Sequence, residues 1–168
     1  FFRASFSFVS LFVAWECLSL EQTGPSIVFH WNFWFTNVFE SLFFATVGVL
    51  AGGSEVVSLV LRGLGAKVGE RVYIEASLSA DPPMLEFGRG ASVRMAMVEA
   101  HAPPHGKWFM EFGPVRLGSY SSFERNSLLV YPLNASPHVT FAPLTRPLVG
   151  ENLISRSKWC GSPAQKTT

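Results

Sequence analysis

The sequence predicts a mainly β fold: a hexapeptide-repeat solenoid of about four coils, with hydrophobic helices before it. Three observations carry this prediction. Apolar residues recur every six positions from Leu117 to Phe141, the same step appears in pieces between Val68 and Met97, and the composition changes abruptly near Arg62.

Leu117, Phe123, Leu129, Ala135 and Phe141 keep the step, and four places after each stand Ser121, Ser127, Leu133, Val139 and Thr145. A strand alternates with period two and a helix turns every 3.6 residues, so a sustained step of six belongs to a solenoid with short flat faces. Upstream, Val68 and Ile74 with companions Val72 and Leu78, then Phe87 and Val93 with Ala91 and Met97, follow the same rule. The first coil therefore begins near Leu64. Asp81-Pro82-Pro83 makes a turn between these two coils and shifts the register by one residue. Gly69, Gly88 and Gly118 each follow an apolar residue, where glycine tolerates the left-handed backbone of a sharp corner. Pro143 and Pro147 end the regular pattern, and the tail from Gly150 to Pro163 closes the structure.

The chain divides into residues 1–60, a hydrophobic helical segment in contact with a membrane; 61–148, the solenoid; and 149–168, the closing tail. Charged residues make up 15% of the chain against 48% apolar, and the imbalance is local. Of 13 Lys and Arg only Arg3 precedes position 61, and 11 of the 16 Phe lie there. Phe6 to Leu20 is short of the roughly 20 apolar residues that a spanning helix needs, and it contains Glu16. Ile27 to Phe39 mixes aromatics with His30, Asn32 and Asn37, as suits a membrane interface. Val38 to Ala51 is the cleanest apolar helix, and Gly52-Gly53 ends or bends it before Val56 to Leu61 resumes. The alternative for this region is a hydrophobic helical hairpin packed on the solenoid or on a further domain of a longer chain. If it spans, Arg62, Lys67 and Arg71 hold the solenoid on the cytoplasmic side. A net charge of +1 without a basic run gives no argument for nucleic acid. Cys17 and Cys160 sit in unlike surroundings and suggest no disulfide framework, and a start at Phe1 rather than methionine reads as a piece of a longer protein.

A second interruption of the repeat is expected near 99–112, reading Glu-Ala-His-Ala-Pro-Pro-His-Gly-Lys-Trp-Phe-Met-Glu-Phe. Two prolines and a glycine make it a loop, and Trp108-Phe109 gives it apolar mass to pack with. Loops leaving a rigid scaffold are where function concentrates. His101 and His105 can each titrate near neutrality. The Pro-Pro between them and the lack of regular ligand spacing argue against a metal site. His30 reads as an interfacial or core residue and His138 as an exposed turn residue. There is no Gly-x-Ser-x-Gly elbow, Asp81 is the only aspartate, and the glycines form neither a phosphate loop nor a dinucleotide fingerprint.

Leu-Arg-Gly-Leu-Gly-Ala-Lys-Val-Gly at 61–69, Phe-Gly-Pro-Val-Arg-Leu-Gly at 112–118 and Trp-Cys-Gly-Ser-Pro-Ala at 159–164 resemble three landmarks of left-handed β-helix acyltransferase-like proteins. With the apolar segments before them, they are most similar to the C-terminal region of membrane-associated, adenylating, carrier-bearing synthetases of the epsilon-poly-lysine synthetase type, which are non-ribosomal peptide synthetase-like. The resemblance covers about Val49 to Ala164. Where the family often has glycine at corners, this chain has Glu124 and Val130.

The resemblance implies a left-handed winding and an acyl or aminoacyl transfer from a thioester to an amine or hydroxyl. It gives His101 as general base, with His105 as the alternative and Glu99 or Glu111 to orient the ring. Arg116 would contact a carboxylate, a pantetheine phosphate or a neighbouring coil, and Trp108 would join it in substrate binding. The implied donor is acetyl-CoA or a phosphopantetheine-linked acyl group, and the implied partners are adenylation and carrier domains of the same longer chain. Two other readings stay open: a non-catalytic scaffold of this fold for assembly or carrier docking, and a homotrimer using acetyl-CoA.

Overall fold

A computed structural model describes residues 26–27, 46, 51–78, 82–102 and 109–167. Its strands stack in parallel ladders, and one turn of the stack is three steps of six. Leu117 is registered with Ala135 and Ala135 with Leu153, while Phe123 is registered with Phe141 and Phe141 with Trp159. One ladder, face A, holds β2 (Lys67–Val68), β4 (Leu85–Phe87), β8 (Val115–Leu117), β11 (Leu133–Ala135) and β13 (Asn152–Leu153). Face B holds the first parts of β3 (Tyr73–Leu78) and β5 (Ser92–Glu99), then β9 (Ser122–Phe123), β12 (Thr140–Phe141) and β14 (Lys158–Cys160). Face C holds the later parts of β3 and β5 with β10 (Leu128–Val130). An antiparallel β15 (Gln165–Thr167) covers the free edge of β14.

The expected inward positions are inward. Leu117, Phe123, Leu129, Ala135 and Phe141 are buried, as are the companions Ser121, Ser127, Leu133, Val139 and Thr145. Phe123 and Phe141 meet edge to face with centroids 5.0 Å apart, joining adjacent turns through the core. Hydroxyls are tolerated inside because they satisfy corner backbone groups. Ser121 Oγ donates to the Ser136 carbonyl at 3.1 Å and accepts from the Val139 N–H at 3.1 Å; Thr145 Oγ1 donates to the Ala142 carbonyl at 2.6 Å.

Corners are built by residues in the left-handed region, with φ between 46° and 63° at Arg71, Met95, Tyr120, Asn126, His138, Leu144 and Arg156. Several of these hand their N–H to the previous turn: Tyr120 to Arg89 O at 2.8 Å, Asn126 to Met95 O, His138 to Ser119 O and Leu144 to Arg125 O, each at 2.9 Å. Gly69, Gly88 and Gly118, expected to supply the left-handed corners, have another role. They line up one per turn at close backbone contact: a Cβ on Gly118 would collide with the Ser136 carbonyl carbon, and one on Gly88 would lie 2.5 Å from Ser119 N. Nothing larger than hydrogen fits there.

Three other sequence expectations change. Met97 faces outward, because β5 gains a residue at Met95 and its pairing with β3 shifts between Glu75 and Ala76, placing Ala96 and Val98 inside instead. Pro143 and Pro147 do not end the pattern: Pro147 is buried, and Leu153 and Trp159 continue the step of six through the tail. The tail therefore adds a fifth strand to face A beyond the four coils expected. Trp159 packs in the core as its plug, with Nε1 donating to Ser157 Oγ at 2.7 Å.

Of the expected hydrophobic helices, the described residues contain α1 (Glu55–Gly63), which begins before the expected boundary at 60 and closes the end of the core. Ser54 caps it, accepting from the Val56 N–H, and Val57 and Leu61 are its buried face. Arg62 reaches over the first corner, donating to the carbonyls of Val68 at 2.9 Å and Gly69 at 2.6 Å. No helix among the described residues is long and apolar enough to cross a membrane. The apolar run 6–20, Glu16, Cys17 and His30 lie outside the described residues.

Two substitutions test this architecture. Gly118→Ala forces backbone apart on adjacent turns and is expected to lower unfolding free energy by about 1–3 kcal/mol or more in urea titration. Leu144→Asn, at an exposed left-handed corner, is expected to raise it by up to about 1 kcal/mol, since asparagine adopts this backbone more readily.

Candidate functional site

Among the described residues the stack carries one long interruption. Phe87 and Leu117 are registered on neighbouring strands, yet five steps of six separate them where a turn needs three. The excess leaves face C at the end of β5 as a hairpin of β6 (His101–Ala102) and β7 (Phe109–Phe112), antiparallel to one another, with β1 (Ser26–Ile27) added along the outer edge of β7. This is the insertion expected at 99–112, and its root is where the candidate groups gather.

Ala100, fully buried, is a bend between the half-buried Glu99, the last residue of β5, and the half-buried His101, the first of β6. His101 is registered with Phe112, and their rings meet at 5.6 Å. Glu111, next to Phe112, therefore lies on the opposite side of the ribbon from His101. There it accepts a hydrogen bond from the Tyr131 hydroxyl at 3.2 Å. Of the two glutamates offered as partners for the histidine, Glu111 is committed to Tyr131, and Glu99 stands two residues before the histidine, across the bend.

Tyr131 is the residue that the sequence reading missed. It is buried, its N–H donates to the Glu99 carbonyl at 3.0 Å, and its ring lies where a side chain on Gly113 would be, 2.5 Å from that absent Cβ. The Gly113 N–H in turn donates to the Ala100 carbonyl at 2.9 Å. Gly113 and Tyr131 are one turn apart, and a glycine facing an aromatic one turn later was the available signal. Burial, reinforced by the Glu111 carboxylate, pushes the Tyr131 phenol up to about 12.

Arg116 is not gathered into this root. It lies on the outward side of face A with Nε 3.6 Å from Glu86 Oε2, and Lys67 approaches the same oxygen at 4.0 Å. All three side chains are roughly half exposed or more, so the ladder adds little stability. His138 is exposed at a corner, as expected, stacked on Tyr120 at 5.4 Å. His105 and Trp108 lie outside the described residues. Among the described residues no three His, Cys, Asp or Glu converge as a metal site.

Outward side chains of face C beside the root are largely apolar. Met97 is registered with Leu128, and Glu99 with Val130; Met95, Leu144 and Leu148 add exposed apolar surface nearby in the repeat.

The same architecture occurs in solved acetyltransferases. The maltose O-acetyltransferase of Clostridium difficile 630 matches with a TM-score of 0.61 at 11% identity, over 86% of this chain and 91% of that one. A galactoside acetyltransferase in complex with coenzyme A matches with a TM-score of 0.51 at 12% identity, over 89% and 88%. The fold is shared with these acetyltransferases. In sequence, delta-poly-L-ornithine synthetase of Acinetobacter baumannii (strain AB307-0294) is 29% identical over 133 residues, 77% of this chain. The chain spans about a tenth of that synthetase's length. No protein-family profile matches.

The Tyr131 environment has a measurable signature. Because its phenol is raised from 10.0 in the folded state, the stability it contributes is complete below pH 10 and is lost as pH rises through about 12. In alkaline absorbance titration, the difference between the wild type and Tyr131→Phe is expected to show a phenolate forming near 12; a midpoint near 10 contradicts the burial described.

Proposed function

We propose that this chain is an acyltransferase-like domain that passes an acyl or aminoacyl group from a thioester to an amine or hydroxyl, with His101 as general base. The observation that carries the reading is the root of the hairpin. His101 is held there against Phe112, two residues after Glu99, by the long interruption in a scaffold whose fold is that of acetyltransferases.

In the proposed step His101 takes the proton of the acceptor, whose oxygen or nitrogen then attacks the thioester carbonyl. The tetrahedral intermediate collapses with loss of the thiolate, which recovers the proton from the imidazolium. Glu99 is the group proposed to orient the ring, with His105 as the alternative base and Arg116 and Trp108 as substrate contacts. The complex of a structural neighbour with coenzyme A supports acetyl-CoA as the donor, and a phosphopantetheine-linked donor is the variant suited to a carrier-bearing chain.

The likeness to part of a poly-ornithine synthetase supports a place in a longer, non-ribosomal peptide synthetase-like enzyme, with adenylation and carrier domains as partners. The apolar composition of 1–60 supports membrane association, with the solenoid on the cytoplasmic side. Left-handed winding belongs to this proposal as well, supported by the landmarks at 61–69, 112–118 and 159–164.

A non-catalytic scaffold would suit the loss of corner glycines at Glu124 and Val130. Those coils keep the register of three steps per turn, with left-handed corners at Asn126, His138 and Leu144, so their sequence does not separate the two readings. Turnover does. With acetyl-CoA and a panel of amine and sugar acceptors, thiol release is expected to fall roughly 10²- to 10⁴-fold in His101→Ala with folding intact. Equal turnover in variant and wild type removes His101 as the base and passes the role to His105, whereas no turnover in either leaves the scaffold.

A further inference from the structure

We propose that Tyr131 is a positioning residue for the candidate base: through Glu111 and Gly113 it fixes the hairpin root so that His101 is held in one place. This rests on the His101 reading. Three contacts converge on the tyrosine from different parts of the root. Its N–H holds the carbonyl of Glu99, the last residue of β5, at 3.0 Å. Its ring occupies the space left by Gly113, where the chain returns to face A. Its hydroxyl donates to Glu111 at 3.2 Å.

Glu111 is the neighbour of Phe112 in the chain, and Phe112 is both the backbone partner of His101 and in ring contact with it. A displacement of Glu111 therefore moves the surface on which the imidazole rests. Tyr131 can act as the fixed end of this chain of contacts, because it belongs to the next turn of the solenoid and is itself buried. A phenol is protonated and able to donate throughout the pH range in which a histidine titrates. Its contacts run to Glu99, Gly113 and Glu111, so its proposed effect is on the imidazole's placement.

Tyr131→Phe separates this role from simple packing, since it keeps the ring and removes the donor. In the acetyl-CoA assay it is expected to lower kcat roughly tenfold, the size of one hydrogen bond to a charged acceptor, with KM for acetyl-CoA unchanged. Glu111→Gln retains an acceptor oxygen and is expected to keep most of the rate. Glu111→Leu should match Tyr131→Phe, and the double variant should be no worse than either alone.

A second readout needs no turnover: the His101 ring resonances in NMR are expected to shift or broaden in Tyr131→Phe and to return toward wild type in Glu111→Gln. Wild-type kcat and unchanged His101 resonances in Tyr131→Phe overturn the proposal while leaving His101 as base. An unaltered rate in His101→Ala overturns both.

Discussion

Backbone hydrogen bonds between N–H and carbonyl groups of adjacent turns are the interaction on which the rest of this protein depends. They run along three ladders and, less commonly for a β structure, also through the corners, where Tyr120, Asn126, His138 and Leu144 each bond the preceding turn. An L-residue in left-handed backbone costs of order 1 kcal/mol, so these corners persist because the stack over-determines them. The stack also explains the glycine column at Gly69, Gly88 and Gly118, since turns in ladder register bring backbone against backbone.

Such a scaffold allows a long interruption without losing its register. The extra residues between Glu99 and Gly113 add little loop-closure entropy, because that cost grows only logarithmically with loop length. What the insertion gains is a side chain placed off the regular surface: His101 leaves the solenoid just after Glu99, and the next turn reaches up through Tyr131 to hold the return strand. Structural rigidity and candidate chemistry are thus joined at the place where turn three is laid on turn two.

The inward residues from Leu117 to Thr145 were legible in the sequence because a step of six is itself the geometry of a face and a corner. The insertion near 99–112 was legible for the complementary reason, as a gap in that step. Met97 was misplaced because one added residue at Met95 reverses which side chains face inward, and nothing in a single strand announces such a shift. Pro147 read as a terminator, yet it takes an inward place in the continuing step. Glu99 and Glu111 were equal candidates in sequence, and only the pairing of His101 with Phe112 puts Glu111 on the other side of the ribbon from the histidine. Tyr131 was hidden because residues in contact across one turn stand far apart in the chain, and their pairing becomes visible only once the turn length is known.

The central claim is that the root of the hairpin is where the acyl group of a thioester substrate is transferred. Amide chemical-shift mapping on addition of acetyl-CoA tests it most directly. The account predicts shifts concentrated at Glu99, Ala100, His101, Glu111, Phe112, Gly113, Val130 and Tyr131. Shifts centred instead on the exposed Tyr120–His138 corner, or no saturable shifts at all, would contradict it.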